Sequence, residues 1–476
     1  MLEPSLVRDV LDAALATGGD FAELFMEDRR DTSLVLQLNR LETVNSGRIH
    51  GAGVRVYVGF NAIYAYTNDT SREGLIACAR QAASAVRERG RELAACAELT
   101  LSPVGNAHAV KLLPSRTDTR RKADVLRAAN AAAREAGEEI VQVACTYRDS
   151  EQDVLIANSE GRFVTDRRVY TRLGCQAVAG NGTENQSGFE GPGALMGFEL
   201  FESRVDPARV GREAARTAIE MLHAPVCPSG VMPVAIGNGF GGVIFHEACG
   251  HGLEATSVAF GTSVFCGKLG EQIASPCVTA VDDGTLPNEW GSENVDDEGT
   301  PTTKLVLIEN GVLKNYMIDR LNGRRMGMPP TGSARRESYA YAPTSRMRNT
   351  YIAAGSDDEK EIISSMGDGL YAARMGGGSV DPATGEFNFA VQEGYLVMDG
   401  KITTPVRGAS LIGKGAEILM KIDRVGRDMR MAQGMCGSLS GSVPTNVGQP
   451  MIRVSSITVG GRAEGGEAEC RILSSS

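Results

Sequence analysis

MPVAIGNGFGGVIFHEACGHGLEA, residues 232–255, passes from a short apolar run through a glycine-rich turn into a segment that carries two of the chain's five histidines. Residues 232–236 read as a buried strand, and the glycines at 237, 239, 241 and 242 allow a tight reversal into a helix. That helix presents His246, Glu247 and His251. A His-Glu-x-x-His segment binds zinc because residues four apart share a helix face, which leaves the glutamate free as general base. Here the second histidine follows five positions after the first. At about 100° per residue the two rings would stand roughly 140° apart on a regular helix and could not reach one ion. Shared ligation therefore requires the helix to widen or break locally, and Gly250, beside His251, is the expected place for a π-bulge or an early helix end.

Histidine is rare enough in this chain for the pair to point to catalytic metal ligation in preference to core packing. His50, His108 and His223 have no such partner and read as ordinary satisfied histidines. A catalytic zinc site usually keeps three protein ligands and one open position. Glu254, three residues after His251, is the near candidate for the third ligand. Cys436, in Gln433-Gly434-Met435-Cys436-Gly437-Ser438, is the remote one, because its flanking glycines allow close approach and leave a thiolate accessible. Cys249 lies between the histidines on another face and reads as packing. Spacing alone leaves Glu254 and Cys436 equally eligible.

Outward from this segment, the chain reads as α+β with two domains, residues 1–226 and 227–476. A mass of 50.4 kDa is too large for one ordinary core. The first part alternates helices (residues 4–16, 71–89, 118–136 and 207–222) with strands. Its order suggests an internally duplicated α/β domain, with 45–48 and 158–162 as similar turns. After Val226-Cys227-Pro228-Ser229-Gly230 the glycines multiply and short apolar runs follow at 304–308, 312–317, 387–398, 401–406 and 451–459. This second part reads as β-rich, with the His246 helix and a helix at 357–365 as its exceptions.

A net charge of −10 and a pI near 5.3 argue against nucleic acid as the main partner. No run approaches the roughly 20 apolar residues that span a bilayer. The N-terminus lacks the basic start and cleavage site of a signal peptide, so a cytoplasmic protein is expected. The ten cysteines show no disulfide rhythm and read as reduced. The acidic pairs Asp282-Asp283 and Asp296-Asp297 flank the only tryptophan, Trp290, in what reads as a solvated, turn-rich loop. Six arginines, Arg324, Arg325, Arg335, Arg336, Arg346 and Arg348, are either anchors for a peptide carboxylate or an ion-paired face. Nothing in their spacing separates the two.

Several segments together resemble the TldD/PmbA family, in its TldD, catalytic branch. They are HEACGHGLEA, residues 281–327 (VDDGTLPNEWGSENVDDEGTPTTKLVLIENGVLKNYMIDRLNGRRMG), TGSARRESYAYAP, GYLVMDGKITTPVRGASLIGKGAEIL and MCGSLSGSVPTNVGQPMIRVSSITVGG. The likeness spans the chain and is densest beyond residue 230. It implies a zinc metallopeptidase in which His246, His251 and Cys436 hold Zn2+ and Glu247 is the general base, and so favours Cys436 over Glu254. It also implies unfolded peptides, such as microcin precursors and antitoxins, as substrates. The expected assembly is a dimer, with a TldE/PmbA-like paralogue lacking the zinc motif or with a second copy. The chain departs from the family pattern at SLSGSVPTN, after MCG, where a more charged segment is expected. That departure bears on partner choice and substrate preference.

Overall fold

The computed structural model describes residues 2–86, 94–381 and 384–461. It is a mixed α+β fold with several sheets. In the first half, strands Asn61–Thr67, Arg40–Val58, Phe21–Gln37, Ile140–Asn158 and Arg162–Gly180 lie side by side in that order, and Asn185–Glu190 pairs with the last. Phe21–Gln37 runs antiparallel to Ile140–Asn158, so the strands before and after residue 100 meet in the middle of one sheet. Helices Pro4–Leu15 and Arg72–Ser84 flank the first set of strands in sequence, and Thr119–Arg134 and Pro207–His223 flank the second.

Side-chain alternation gives this sheet two different faces. One carries Ala22, Leu24, Val54 and Val56 beneath the first helix pair, and Leu34, Cys145, Tyr147, Leu173 and Cys175 beneath the second. Burying each large aliphatic or aromatic side chain contributes about 1.5–3 kcal/mol, which is why the helices dock there. The opposite face carries Glu23, Glu27, Arg55 and Arg168, yet it too is buried, against loops of the second half. This arrangement corrects the strand limits. Runs expected as separate strands are single strands of 17 and 19 residues, because polar residues in their middles continue the pairing. The two short motifs are also not equivalent: 45–48 lies inside a strand, whereas 158–162 turns between two.

The expected helix starts are present as capped termini. Ser71 accepts from Gly74 N–H, Asp118 from Arg120 N–H and Asp206 from Ala208 N–H. The helix from Ser71 ends at Ser84, and the stop expected at Gly90 lies outside the described residues.

In the second half, strands Gly369–Val380, Gly230–Ile236, Ile452–Gly460, Ser410–Lys414 and Glu386–Met398 pair in sequence, and the last closes onto the first to form a five-stranded barrel. A separate sheet holds Lys304–Glu309, Ala280–Asp283, Asn349–Ile352, Gly441–Gln449 and, at its edge, Arg430–Ser438. Expected helix 357–365 is Glu359–Ser364, while Arg320–Met326 and Gly415–Lys421 are helices beyond those expected. The strand expected at 312–317 is limited to Val312–Leu313. Among the described residues no helix is long and apolar enough to cross a membrane.

Candidate metal centre

The glycine turn after Gly230–Ile236 opens one continuous helical stretch made of four local geometries. A 3₁₀ turn, Gly239–Gly242, leads into an α turn, Val243–Phe245, then a π turn, His246–Gly250, and a closing 3₁₀ turn, His251–Leu253. The N–H of His251 donates to the carbonyl of His246, an i to i+5 bond. A π turn brings residues five apart onto one face. The ring centroids of His246 and His251 are accordingly 5.1 Å apart, with their planes at 84°. The five-residue spacing is thus matched by the helix geometry, at the position where the glycine suggested it.

Close backbone approaches seat this helix between the barrel and the second sheet. A Cβ at Gly242 would lie 2.5 Å from the backbone N of Gly448, and one at Gly415 would collide with the Ala248 carbonyl. At Gly250 a Cβ would strike Met347 Sδ, and Met347 is fully buried. Phe245, Ala248 and Cys249 fill the core between these layers. Burial pushes the Cys249 thiol up, in keeping with a packing role.

Cys436 arrives on the edge strand Arg430–Ser438, held antiparallel to Gly441–Gln449. Its Sγ lies 3.5 Å from Nε2 of His251. One donor atom each from His246, His251 and Cys436 lies within 4.8 Å of the others, the one such group found among the described residues. Burial alone would push the Cys436 thiol up, but His246 and His251 outweigh it and hold the thiol down at about 3, which favours the thiolate form. The buried Nδ1 of His246 has no hydrogen-bond partner. Two imidazoles and a cysteine sulfur are a donor set suited to zinc, and the three residues fit that ion.

Glu254 does not join the group. Its Oε2 lies 3.2 Å from Nδ1 of His251, which orients the ring and turns Nε2 toward Cys436. Burial lowers the His251 pKa, but the Glu254 charge and Cys436 outweigh it and raise the pKa well above its ordinary value. This is the orienting carboxylate that histidine ligands commonly have. Arg346, fully buried, braces both sides. It donates to the Cys436 carbonyl and, at 2.8 Å, to that of Gly441, and its Nε lies 3.9 Å from Glu254. Sequence reading placed Arg346 among six undistinguished loop arginines, and what sets it apart is its contact with the Cys436 carbonyl and its approach to Glu254.

Glu247 stands beside the donors with its side chain 24% exposed and its Oε2 3.7 Å from Nε2 of His251. A carboxylate so placed is partly exposed to solvent and beside one of the three donors, an arrangement that suits a general base. Cavities of about 500 Å³ and 970 Å³ open on other parts of the Cys436 strand, the first lined by Met435 and the second by Gly434.

The acidic loop is not solvated. Asp282, Asp283, Asp296 and Asp297 are all buried. Asp282 takes the Arg348 backbone N–H and Nε, Asp296 takes three backbone N–H groups, and Asp297 takes Arg168 and the Arg336 N–H. Four of the six arginines follow the ion-paired reading: Arg335 pairs with Glu293, Arg336 with Glu23, Arg348 with Asp282 and Arg324 with Asp20, whereas Arg325 donates to the Asn322 side chain and the Phe60 carbonyl. Turn-rich composition concealed this, because the compensating charges lie far apart in the chain.

Two histidines on a π-turned helix and a cysteine from the edge strand, with a glutamate beside them, form a candidate metal centre of the metalloprotease kind. Signatures of the PmbA/TldA metallopeptidase domain 1, central domain and C-terminal domain match residues 22–86, 113–222 and 229–461. The chain is 37% identical, over 97% of each chain, to the metalloprotease TldD homolog of Haemophilus influenzae. It is 33% identical to the zinc metalloprotease TldD homolog of Saccharolobus solfataricus, over 56% of this chain and 58% of that protein. The crystal structure of TldE from Thermococcus kodakarensis has the same fold, with a TM-score of 0.75 at 18% identity over 95% of this chain and 99% of that one. The chain belongs to the PmbA/TldD metallopeptidase family.

Proposed function

We propose that this protein is a zinc-dependent peptidase that hydrolyses unfolded or extended peptides, with His246, His251 and Cys436 as the metal ligands and Glu247 as the general base. The observation that carries the reading is the approach of Cys436 to within 3.5 Å of His251, from 185 residues away in the chain, beside an available carboxylate. When bound there, zinc supplies Lewis acidity to a substrate carbonyl and lowers the pKa of water at that position towards about 7. Glu247 would take a proton from a water at this site and return it to the leaving amine. Glu254 keeps the His251 ring oriented, and Arg346 fixes the backbone of the third ligand. A thiolate donates more charge to the metal than a third imidazole would, so turnover depends strongly on how well the peptide is positioned.

Positioning is supported by the edge placement of Arg430–Ser438, which can accept an extended peptide as an added strand. Backbone pairing of that kind reads little sequence and requires an unfolded chain. The cytoplasm suits such a substrate. The proposed assembly is a dimer with a TldE/PmbA-like paralogue, and self-pairing is the alternative. The two-domain division at 226/227 falls in the connection between Pro207–His223 and Gly230–Ile236. A non-catalytic, partner-stabilising role has no comparable support, because His246, His251 and Cys436 lie within 4.8 Å of one another and Glu247 lies 3.7 Å from His251.

The test is metal content measured together with cleavage of an unfolded polypeptide and its folded counterpart. Glu247→Gln should keep the metal and lose hydrolysis, while Cys436→Ala should lose both. Retained activity in Glu247→Gln, or equal cleavage of folded and unfolded substrate, would overturn the corresponding part of the proposal.

A further inference from the structure

The charged face of the N-terminal sheet meets the Cys436 strand around the cavity of about 500 Å³, whose walls include Arg148, Arg172, Trp290, Met435, Val443 and Pro444. Met435 immediately precedes Cys436, so strand alternation turns its side chain to the opposite face from the thiolate. The other arginines on these walls have acidic partners: Arg29 pairs with Asp31, Arg168 with Asp297, Arg335 with Glu293 and Arg336 with Glu23. Among the described residues Arg148 and Arg172 form no ion pair with a carboxylate.

These two unpaired arginines face each other across neighbouring strands, Arg148 opposite Arg172. Directly opposed like charges destabilise a sheet unless an anion compensates them. Arg172 is held in place by neutral groups only. Its Nε donates to the Gly191 carbonyl at 3.1 Å and its Nη2 to the Gln433 carbonyl at 3.2 Å, while its guanidinium lies 5.3 Å from the Trp290 ring centre. Burial and the neighbouring Arg148 push its pKa down to about 10. The Glu337 carboxylate on the same wall is engaged by the Ser442 N–H at 2.8 Å.

We propose that Arg148 and Arg172 form an anion subsite that receives a carboxylate of the peptide substrate, either the chain-terminal carboxylate or an acidic side chain. This inference rests on the peptidase reading and specifies which peptides the site selects. Gln433 precedes Cys436 by three residues, so the Arg172 contact lies roughly 10 Å along the strand from the thiolate. An extended peptide alongside would place its carboxylate about three residues from the bond that is cut. Arg172 and Arg148 are positioning residues, since neither lies among the metal donors.

Trp290 is the only tryptophan, so its fluorescence reports on this cavity independently of catalysis. The experiment titrates the Glu247→Gln protein with a short unstructured neutral peptide as free acid, as C-terminal amide, and as an amide with one internal glutamate. The free acid or the glutamate peptide should change Trp290 fluorescence, the neutral amide should not, and whichever responds identifies the source of the carboxylate. Arg148→Gln and Arg172→Gln should each weaken the response about tenfold or more. Arg148 is exposed, so its variant tests the idea even if Arg172→Gln folds poorly. Equal binding of all three peptides to all variants would overturn the subsite. Cleavage by the wild type with no preference for a carboxylate, unaltered in Arg148→Gln, would remove the subsite and leave the peptidase reading intact. An arginine-dependent fluorescence response without cleavage of any peptide would do the reverse.

Discussion

Glu254 Oε2 sits 3.2 Å from Nδ1 of His251, on the side of the ring away from Cys436. The carboxylate therefore acts on the metal donors through the histidine. Two substitutions that both remove a candidate ligand should behave differently as a result. Cys436→Ala should abolish metal binding, whereas Glu254→Gln should weaken it about 10–100-fold, as loss of an orienting partner does. Chelator competition on the two purified variants separates these outcomes, and equal loss in both would make Glu254 a ligand.

Gly250 is required by contact and not by a special backbone angle, since its place in the π turn leaves no room for a side chain beside Met347. Gly250→Ala should cost about 1–3 kcal/mol through overpacking. Shortening the neighbour as well, in Gly250→Ala with Met347→Ala, should recover part of the metal affinity lost by the single variant. Thermal melts read the first effect and metal titration the second. An additive pair would show that the contact is not what limits residue 250.

Arg55 is fully buried and bridges Glu23 of the N-terminal sheet, at 2.8 Å, to Glu298 of the second half, at 2.5 Å. Arg55→Met would leave the buried Glu298 carboxylate without its cation, while Glu23 keeps only Arg336. Breaking a buried pair in this way costs about 3–5 kcal/mol. Urea unfolding should therefore show a lower midpoint, and a loss below about 1 kcal/mol would contradict the placement of this network in a water-free interface.

The His246 helix and the strand Arg430–Ser438 each contribute ligands to the proposed centre, so metal should staple the barrel side to the edge of the second sheet. Ligand binding to the folded state stabilises it by mass action. Chelation should lower the thermal midpoint and speed amide exchange over residues 431–437 more than in the N-terminal sheet. Uniform exchange across the chain, or none, would argue against an ion bridging these elements.

Much of this arrangement is legible in residue order. Helix starts at Asp118 and Asp206 follow from local capping chemistry, and strands 401–406 and 387–398 follow from short-range patterning. The strained spacing of His246 and His251 announces a widened helix beside Gly250. All of these depend on atoms a few residues apart. The polar middles of the long N-terminal strands were misread for the opposite reason: Asp149, Glu151 and Gln152 are buried by residues far along the chain. The acidic loop at 282–297 was misread likewise, since Asp282 and Asp297 are neutralised by Arg348 and by Arg168 with Arg336.

By itself, then, the sequence determined the helix that bears the two histidines and the need for a third donor, with family resemblance favouring the remote Cys436 over the near Glu254. Tertiary structure alone decided that Glu254 orients while Cys436 approaches the rings, that Arg346 braces them, and that Arg148 and Arg172 are left without anions. The physical reason is range. Helix geometry and capping act within about one turn of chain, whereas a charge is paired or orphaned by whatever the fold brings within a few ångströms of it.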